Sequence, residues 1–379
     1  MQLSVSIGHS SCGIDGGVSF DGNRFHRSHP KETWWIDPGS RQVRDLSEVM
    51  PAFGVQPPSI VSQAHRSAFE SLTCSPVPWL QAIGKDRYLS AAKRAWNDVN
   101  KWINENPEYV EFLLREREVL CSLSPAMIDI REFESRRNSP SVESFAPGSG
   151  GYAQVPKYSH ATQTGRLKVV EGPKILTVSK PDRRVISSRF SGGRILQVDF
   201  VSLEPRVALY TAGQDPGAGD VYEWIASSIG MGLTRSKVKV PTLSVLYGQS
   251  ARNDDSVSST IREKIQSLFK IQEMKERIAS GKFSNGFGRP LETVEDRLLI
   301  SHYTQSTAVD VALLGFRKLL ESFGSHSGVG IVPIFVLHDA LILDVSPEIY
   351  GFLKGKVDEG VIVDRLGHFP LSLGPIWDE

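Results

Sequence analysis

FVLHDALILDV, residues 335–345, places an ionisable pair, His338 and Asp339, inside a run whose aliphatic residues read as a buried β-strand. A second carboxylate has a matching setting. In RILQVDFVSLEPRVALY, residues 194–210, Asp199 ends an apolar strand and a helix-compatible stretch begins. An ionised carboxylate in a strand is costly to bury unless something compensates it, and a divalent cation does so better than a single lysine. Alone, each aspartate reads as an ordinary strand-end or turn residue. Together, two strand-borne aspartates can bridge two metal ions about 3.5–4 Å apart, which activates a hydroxyl and stabilises a leaving pyrophosphate.

Between them, RSKVKVPTLSVLYG, residues 235–248, sets Arg235, Lys239, Leu243 and Tyr247 at four-residue steps, one face of a helix. Two cations, an apolar residue and a phenol in line make a surface that can hold a triphosphate at one end and a sugar and base at the other. An amphipathic helix with plain surface charges has the same pattern, and Pro241 weakens the helical reading.

The rest of the chain gives these pieces a frame. Its 379 residues are enough for two or three domains or one multi-lobed enzyme. Residues 1–80 are rich in Gly, Ser and Pro and carry no recognisable chemistry. From about Asp86, RYLSAAKRAWNDVNKWI and EYVEFLLREREVL predict a mostly helical lobe, and 137–160 (RNSPSVESFAPGSGGYAQVPKYSH) has the composition of a linker or boundary. Short β-type runs follow (KILTVSK, RVISSRF, RILQVDF), then helical periods through about 323, then strand again in GIVPIFVLHDALILDV. Strands, helices and strands in that order imply an α+β fold, a sheet assembled from distant pieces around a helical insertion.

Forty-three basic residues balance forty-three acidic ones, so bulk charge argues nothing about nucleic acid. From Gly165 to Arg194, however, eight Lys or Arg face only Glu171 and Asp182, an excess that could line a phosphate-binding surface or a plain solvated face. Cys12, Cys74 and Cys121 lie far apart, which suggests neither disulfides nor a zinc site. No leader pattern and no run of about eighteen apolar residues is present, so a soluble, intracellular protein without membrane contact is expected.

Seven segments, in order, resemble family A DNA polymerases, the bacterial polymerase I and odd-numbered T-phage type. VDFVSLEPR is similar to that family's first motif, DYSQIELR, with Asp199, Glu204 and Arg206 in register. RSKVKVPTLSVLYG resembles its fingers helix, RxxxKxxxFxxxYG, and LHDALILDV its third motif, VHDELxxEV. Fainter likenesses are TGRLKVVEG to TGRLSS, GFGRP to FGRRR, RLLISHYTQSTAVD to RxxxNxxxQGTAAD, and PLSLGPIWDE to a common family ending. The resemblance covers roughly 160–379.

It implies a right-hand architecture: an antiparallel-sheet palm with helical fingers and thumb. Residues 1–85 would be a region of unknown role, 86–160 a thumb-like region and linker, and 161–379 palm and fingers, the fingers at about 216–286. The implied activity is template-directed addition of dNTPs to a primer 3′-hydroxyl. Asp199 and Asp339 would hold two Mg²⁺, with Mn²⁺ as substitute. Arg235 and Lys239 would bind the triphosphate, Lys239 also protonating pyrophosphate. Leu243 would lie near the nascent base pair, and Tyr247 would pair with Glu204 beneath the sugar, favouring deoxynucleotides. Arg166, Arg206, Arg297, Gln305 and His338 would touch the primer-template.

The partners implied are DNA primer-template, dNTPs and a processivity or replisome protein docking on 1–85, in a bacterial or phage-infected cell. Only some eighty residues precede the thumb-like helices, without clustered carboxylates, so proofreading and 5′-nuclease activities are expected to be absent. Leu243 replaces an aromatic residue, Pro205 a Leu, Ala340 an acid and Ser301 an Asn, departures that touch efficiency and sugar choice. The alternatives are a primase-like or RNA-synthesising polymerase, a terminal transferase, and a non-catalytic DNA-binding relative.

Overall fold

The structure, a computed structural model, describes residues 118–377 except 161, 250–255, 281–283, 290 and 292–293, together with positions 112 and 115 and three two-residue strands at 5–6, 19–20 and 25–26. The chain divides into two compact units, Met1–Val110 and Glu111–Glu379. In the first, the described strands form a small antiparallel sheet. Most of the helical lobe expected from about 86 lies outside the described residues; positions 112, 115 and 118–122 are helical.

In the second unit the chain order is β1 (Met127–Ile128), α1 (Ile130–Arg136), α2 (Pro140–Glu143), β2 (Ile186–Ser187), β3 (Arg194–Phe200) and α3 (Leu203–Thr211). Four helices follow, α4 (Val221–Ile229), α5 (Arg235–Leu246), α6 (Ser256–Leu268) and α7 (Ile271–Ser280). Then come the long α8 (Leu299–Ser322), β4 (Ile331–Leu337), β5 (Ala340–Val345), α9 (Tyr350–Glu359) and β6 (Leu371–Pro375). The central sheet has the order β6-β3-β5-β4, every neighbour antiparallel, which makes the fold α+β.

The stretch 335–345 is not one strand. It is a hairpin, with His338 and Asp339 as its two-residue turn. His338 takes a positive φ of 56°, the kind of backbone that tight hairpin turns require at a central residue. Both flanking strands are buried along their full length and, apart from Asp344, carry only apolar residues.

Burial on both faces explains that pattern. Val198, Phe200, Leu341 and Leu343 pack with Ala308, Val311, Ala312 and Phe316 of α8. Ile195, Ala340 and Ile342, the alternate residues, pack with Ile128, Phe133, Val142, Phe145 and Val185. A second core joins α4–α7 to the start of α8 through Ile225, Val238, Ile265 and Phe269.

The segment 137–160 is therefore not a linker. Its Pro, Gly and Ser build turns around Val142, Phe145 and Ala153, which are buried against the sheet, and Phe145 meets Phe335 edge-on at 5.8 Å. The buried acid at 344 is paired. Asp344 of β5 accepts from Ser188 Oγ (2.5 Å) and from the backbone N and Nε of Arg189 (both 3.0 Å). No helix among the described residues is long and apolar enough to cross a membrane.

Phe145→Ala, at a position whose composition resembles a linker, is expected to cost about 3–5 kcal/mol in chemical denaturation, because a fully buried ring leaves a cavity. A loss below about 1 kcal/mol would place 137–160 outside the core.

Candidate active site

The register of β3 with β5 sets Ala340 opposite Asp199, and the Phe200 N–H donates to the Asp339 carbonyl (3.3 Å), so the two aspartates sit side by side at one end of the sheet. Burial, and then the charge of Asp339, push the Asp199 carboxyl up to about 7, against the pull of the Phe200 N–H. Asp339 is also raised, first by burial and further by Glu204. Asp199 Oδ1 is buried without a hydrogen-bond partner among the described residues.

An orphaned carboxylate oxygen beside a second acid is a donor set that suits a hard divalent cation. Among the described residues no group of three or more His, Cys, Asp or Glu could hold a metal. The protein thus offers two carboxylates, the number with which Mg²⁺ is commonly bound when waters and substrate phosphates complete its shell.

A cleft of about 420 Å³ opens at Asp339 and His338, lined also by Arg166, Ser202, Glu204, Tyr222, Leu243, Tyr247 and Gln305. Glu204 is its hub. One oxygen accepts from Arg166 NH2 (2.5 Å) and the other from the Tyr247 hydroxyl. Burial and then the Glu204 carboxylate raise the Tyr247 pKa, which keeps the phenol a donor. Burial lowers the His338 pKa, with Arg166 and Arg183 adding to the effect and Asp339 opposing it.

Local sequence accounts for these positions. Ser202, in the left-handed region at φ 55°, turns the chain from β3 into α3 and brings Glu204 into the first helical turn. Pro205 also lies in that turn, where its missing N–H removes no helical bond. Helix α5 continues through Pro241, and Tyr247 is its C-cap residue. Gly248 follows at φ +63°, and a Cβ there would strike the Arg297 carbonyl, so only glycine lets the end of α5 approach so closely.

Arg166 stands on a braced loop. His160 Nδ1–H donates to the Gly165 carbonyl (2.8 Å), and Thr162 Oγ1 donates to the Arg166 carbonyl (2.8 Å). Beneath it, Arg289 of the GFGRP segment pairs with the fully buried Asp310 of α8 (2.6 Å), which also accepts from Asn285 Nδ2 (2.6 Å). That segment is structural.

Other expected residues lie elsewhere. Asp199, Arg235 and Lys239 do not line the cleft, but the Arg235 and Lys239 cations lie over Tyr222, which does. Arg297, 63 % exposed, pairs with Glu295 (2.6 Å) outside the cleft. Arg206 departs most from expectation. It is 0 % exposed and donates to the carbonyls of Val201 (3.0 Å), Gly217 (2.5 Å) and Gly219, which leaves it nothing to offer DNA. Gln305 lines the cleft and donates to Ser301 Oγ (3.2 Å). Tyr222 and Ser202 line the cleft without belonging to the residues expected there; the Asp-x-x-Glu capping pattern at 220–223 is the signal that could have placed the start of α4 and with it Tyr222.

No protein-family model matches the chain, and no curated protein sequence matches it. Among solved structures it is similar to the POL domain of Pol1 from M. smegmatis in complex with DNA primer-template and dNTP, at a TM-score of 0.46 and 14% identity, covering 88% of this chain and 63% of that chain. The chain thus spans less than two thirds of that neighbour. A likeness of this size leaves function to be decided by the side chains themselves.

Burial, and then the charge of Arg289, lower the His160 pKa to about 4. Between that value and the usual 6.5 the unfolded chain binds more protons than the folded one, so this contribution is complete above pH 6.5 and lost as pH falls toward 4. Denaturation of wild type against His160→Gln should show wild type losing up to about 3 kcal/mol relative to the variant over that window. A difference independent of pH would contradict the assignment.

Proposed function

We propose that the chain is a template-directed DNA polymerase that adds dNTPs to a primer 3′-hydroxyl by nucleotidyl transfer. The observation that carries this reading is the Asp199–Asp339 pair, two adjacent carboxylates, one with an unpartnered buried oxygen, beside a cleft whose other walls are Glu204 with Tyr247 and the α5 face bearing Leu243. In this reading the four-stranded sheet and α8 form the palm, α4–α7 the fingers, and the helical residues at 112, 115 and 118–122 part of a thumb.

Asp199 and Asp339 are the residues that would hold Mg²⁺, which when bound would activate the primer hydroxyl and offset charge on the departing pyrophosphate. Arg235 and Lys239 bind the triphosphate. Lys239 is a primary ammonium that can hand a proton to the leaving oxygen. Leu243 lies against the incoming base with less contact area than an aromatic ring would give.

Glu204 acts on the sugar. Both its oxygens are occupied, so a ribose 2′-hydroxyl would crowd the carboxylate without gaining a bond, and that favours deoxynucleotides. Arg166, on its braced loop, and His338, at the hairpin turn, stand at the mouth of the cleft where a primer terminus would lie. Gln305 reaches the same space from α8. These groups orient the duplex by sugar, phosphate and minor-groove contacts that carry little sequence information.

Gel-resolved extension of a labelled primer on a DNA template tests this, with dNTPs against rNTPs and wild type against Asp199→Ala and Asp339→Ala. Templated dNTP addition is expected, with each variant reduced by about 10³-fold or more, as loss of a group that holds the reacting charges implies. Absence of wild-type extension, or a variant that extends like wild type, would sink the reading. Equal use of rNTPs would overturn the role of Glu204 alone.

A further inference from the structure

The two cations set against the triphosphate depend on the first turn of α4. Asp220, its N-cap, accepts from the N–H groups of Tyr222 (2.8 Å) and Glu223 (3.1 Å) through Oδ1 and from Arg235 Nε (2.8 Å) through Oδ2. That ion pair uses Nε, and among the described residues neither terminal nitrogen of this side chain, 47 % exposed, has a hydrogen-bond partner, so both can meet a ligand.

Two residues on, the Tyr222 ring lies within reach of both cations, 5.5 Å from Arg235 Cζ and 5.7 Å from Lys239 Nζ. The ring is buried in the core of α4–α7, and Tyr222 lines the cleft together with Ser202 of the β3–α3 junction. Arg206, from the helix that follows that junction, holds the carbonyls of Gly217 and Gly219 immediately before Asp220. The turn is therefore fixed from both sides, to the α5 cations and to the strand end that carries Asp199.

We infer that Asp220 and Tyr222 are positioning residues for a nucleoside triphosphate: Asp220 sets the rotation of Arg235, and the Tyr222 ring fixes the separation of the Arg235 and Lys239 charges to match neighbouring phosphates. This rests on the polymerase reading for the identity of the ligand. An arginine with a preset fork loses less side-chain freedom on binding than one free in solvent, so the effect falls on affinity and not on the chemical step.

The test is calorimetric binding of inorganic tripolyphosphate to the full chain, for wild type, Tyr222→Phe, Tyr222→Leu and Asp220→Asn, followed by KM and kcat for dNTP in primer extension. Tyr222→Leu and Asp220→Asn are expected to weaken tripolyphosphate binding about fivefold to tenfold. The KM for dNTP rises in parallel while kcat stays within about twofold of wild type. Tyr222→Phe keeps the ring and should match wild type.

If Tyr222→Leu does not fold, Asp220→Asn and Tyr222→Phe decide the matter. Wild-type affinity in Asp220→Asn, a loss in Tyr222→Phe, a fall in kcat at unchanged KM, or no tripolyphosphate binding by wild type overturns the inference. Primer extension by wild type alongside any of these leaves the polymerase reading standing. Wild-type tripolyphosphate binding that responds as expected, without extension, overturns that reading and supports the positioning role.

Discussion

Two carboxylates that repel one another, held together by a strand register, are the constraint on which the rest of the structure depends. Ala340 opposes Asp199 across β3 and β5, so Asp339 cannot move away without shifting a pairing that runs from Ala340 to Val345. The register is held because both faces of the sheet are buried. A slip of one residue would send Leu341 and Leu343 to the face now filled by Ala340 and Ile342. The cost of the acid pair is thus met by packing far from it, an arrangement typical of sites that trade stability for function.

Glu204 plays a comparable part on the other wall of the cleft. It gathers Arg166 from the loop at 160–166 and Tyr247 from the end of α5, so three segments remote in sequence meet at one carboxylate. Each is braced from behind: the loop by His160 and the Arg289–Asp310 pair, α5 by Gly248 against Arg297, and the strand-to-helix turn by Ser202. Pre-set geometry of this kind lowers the ordering cost when a substrate enters.

What the sequence made legible was spacing. Four-residue steps from Arg235 to Tyr247 read as one helix face, and strands followed by helices and then strands again read as α+β; both are seen. The hairpin at 338–339 was hidden because its turn is two residues long and the strands on either side are buried and, Asp344 apart, apolar. Residues 137–160 have a loop's composition yet bury Val142 and Phe145, a tertiary outcome that local propensity does not encode. Arg206 shows the limit of motif reading: register within a motif does not say whether a cation faces solvent or is spent on backbone carbonyls.

The central claim is that the Asp199–Asp339 pair is built around divalent cations, and the most direct measurement is the thermal unfolding midpoint of the full chain titrated with Mg²⁺, wild type against Asp199→Asn. The account predicts that Mg²⁺ raises the wild-type midpoint by binding the folded state and relieving the repulsion. Asp199→Asn should start higher in metal-free buffer and respond little. Equal Mg²⁺ responses in the two proteins, or a metal-free variant less stable than wild type, would contradict it.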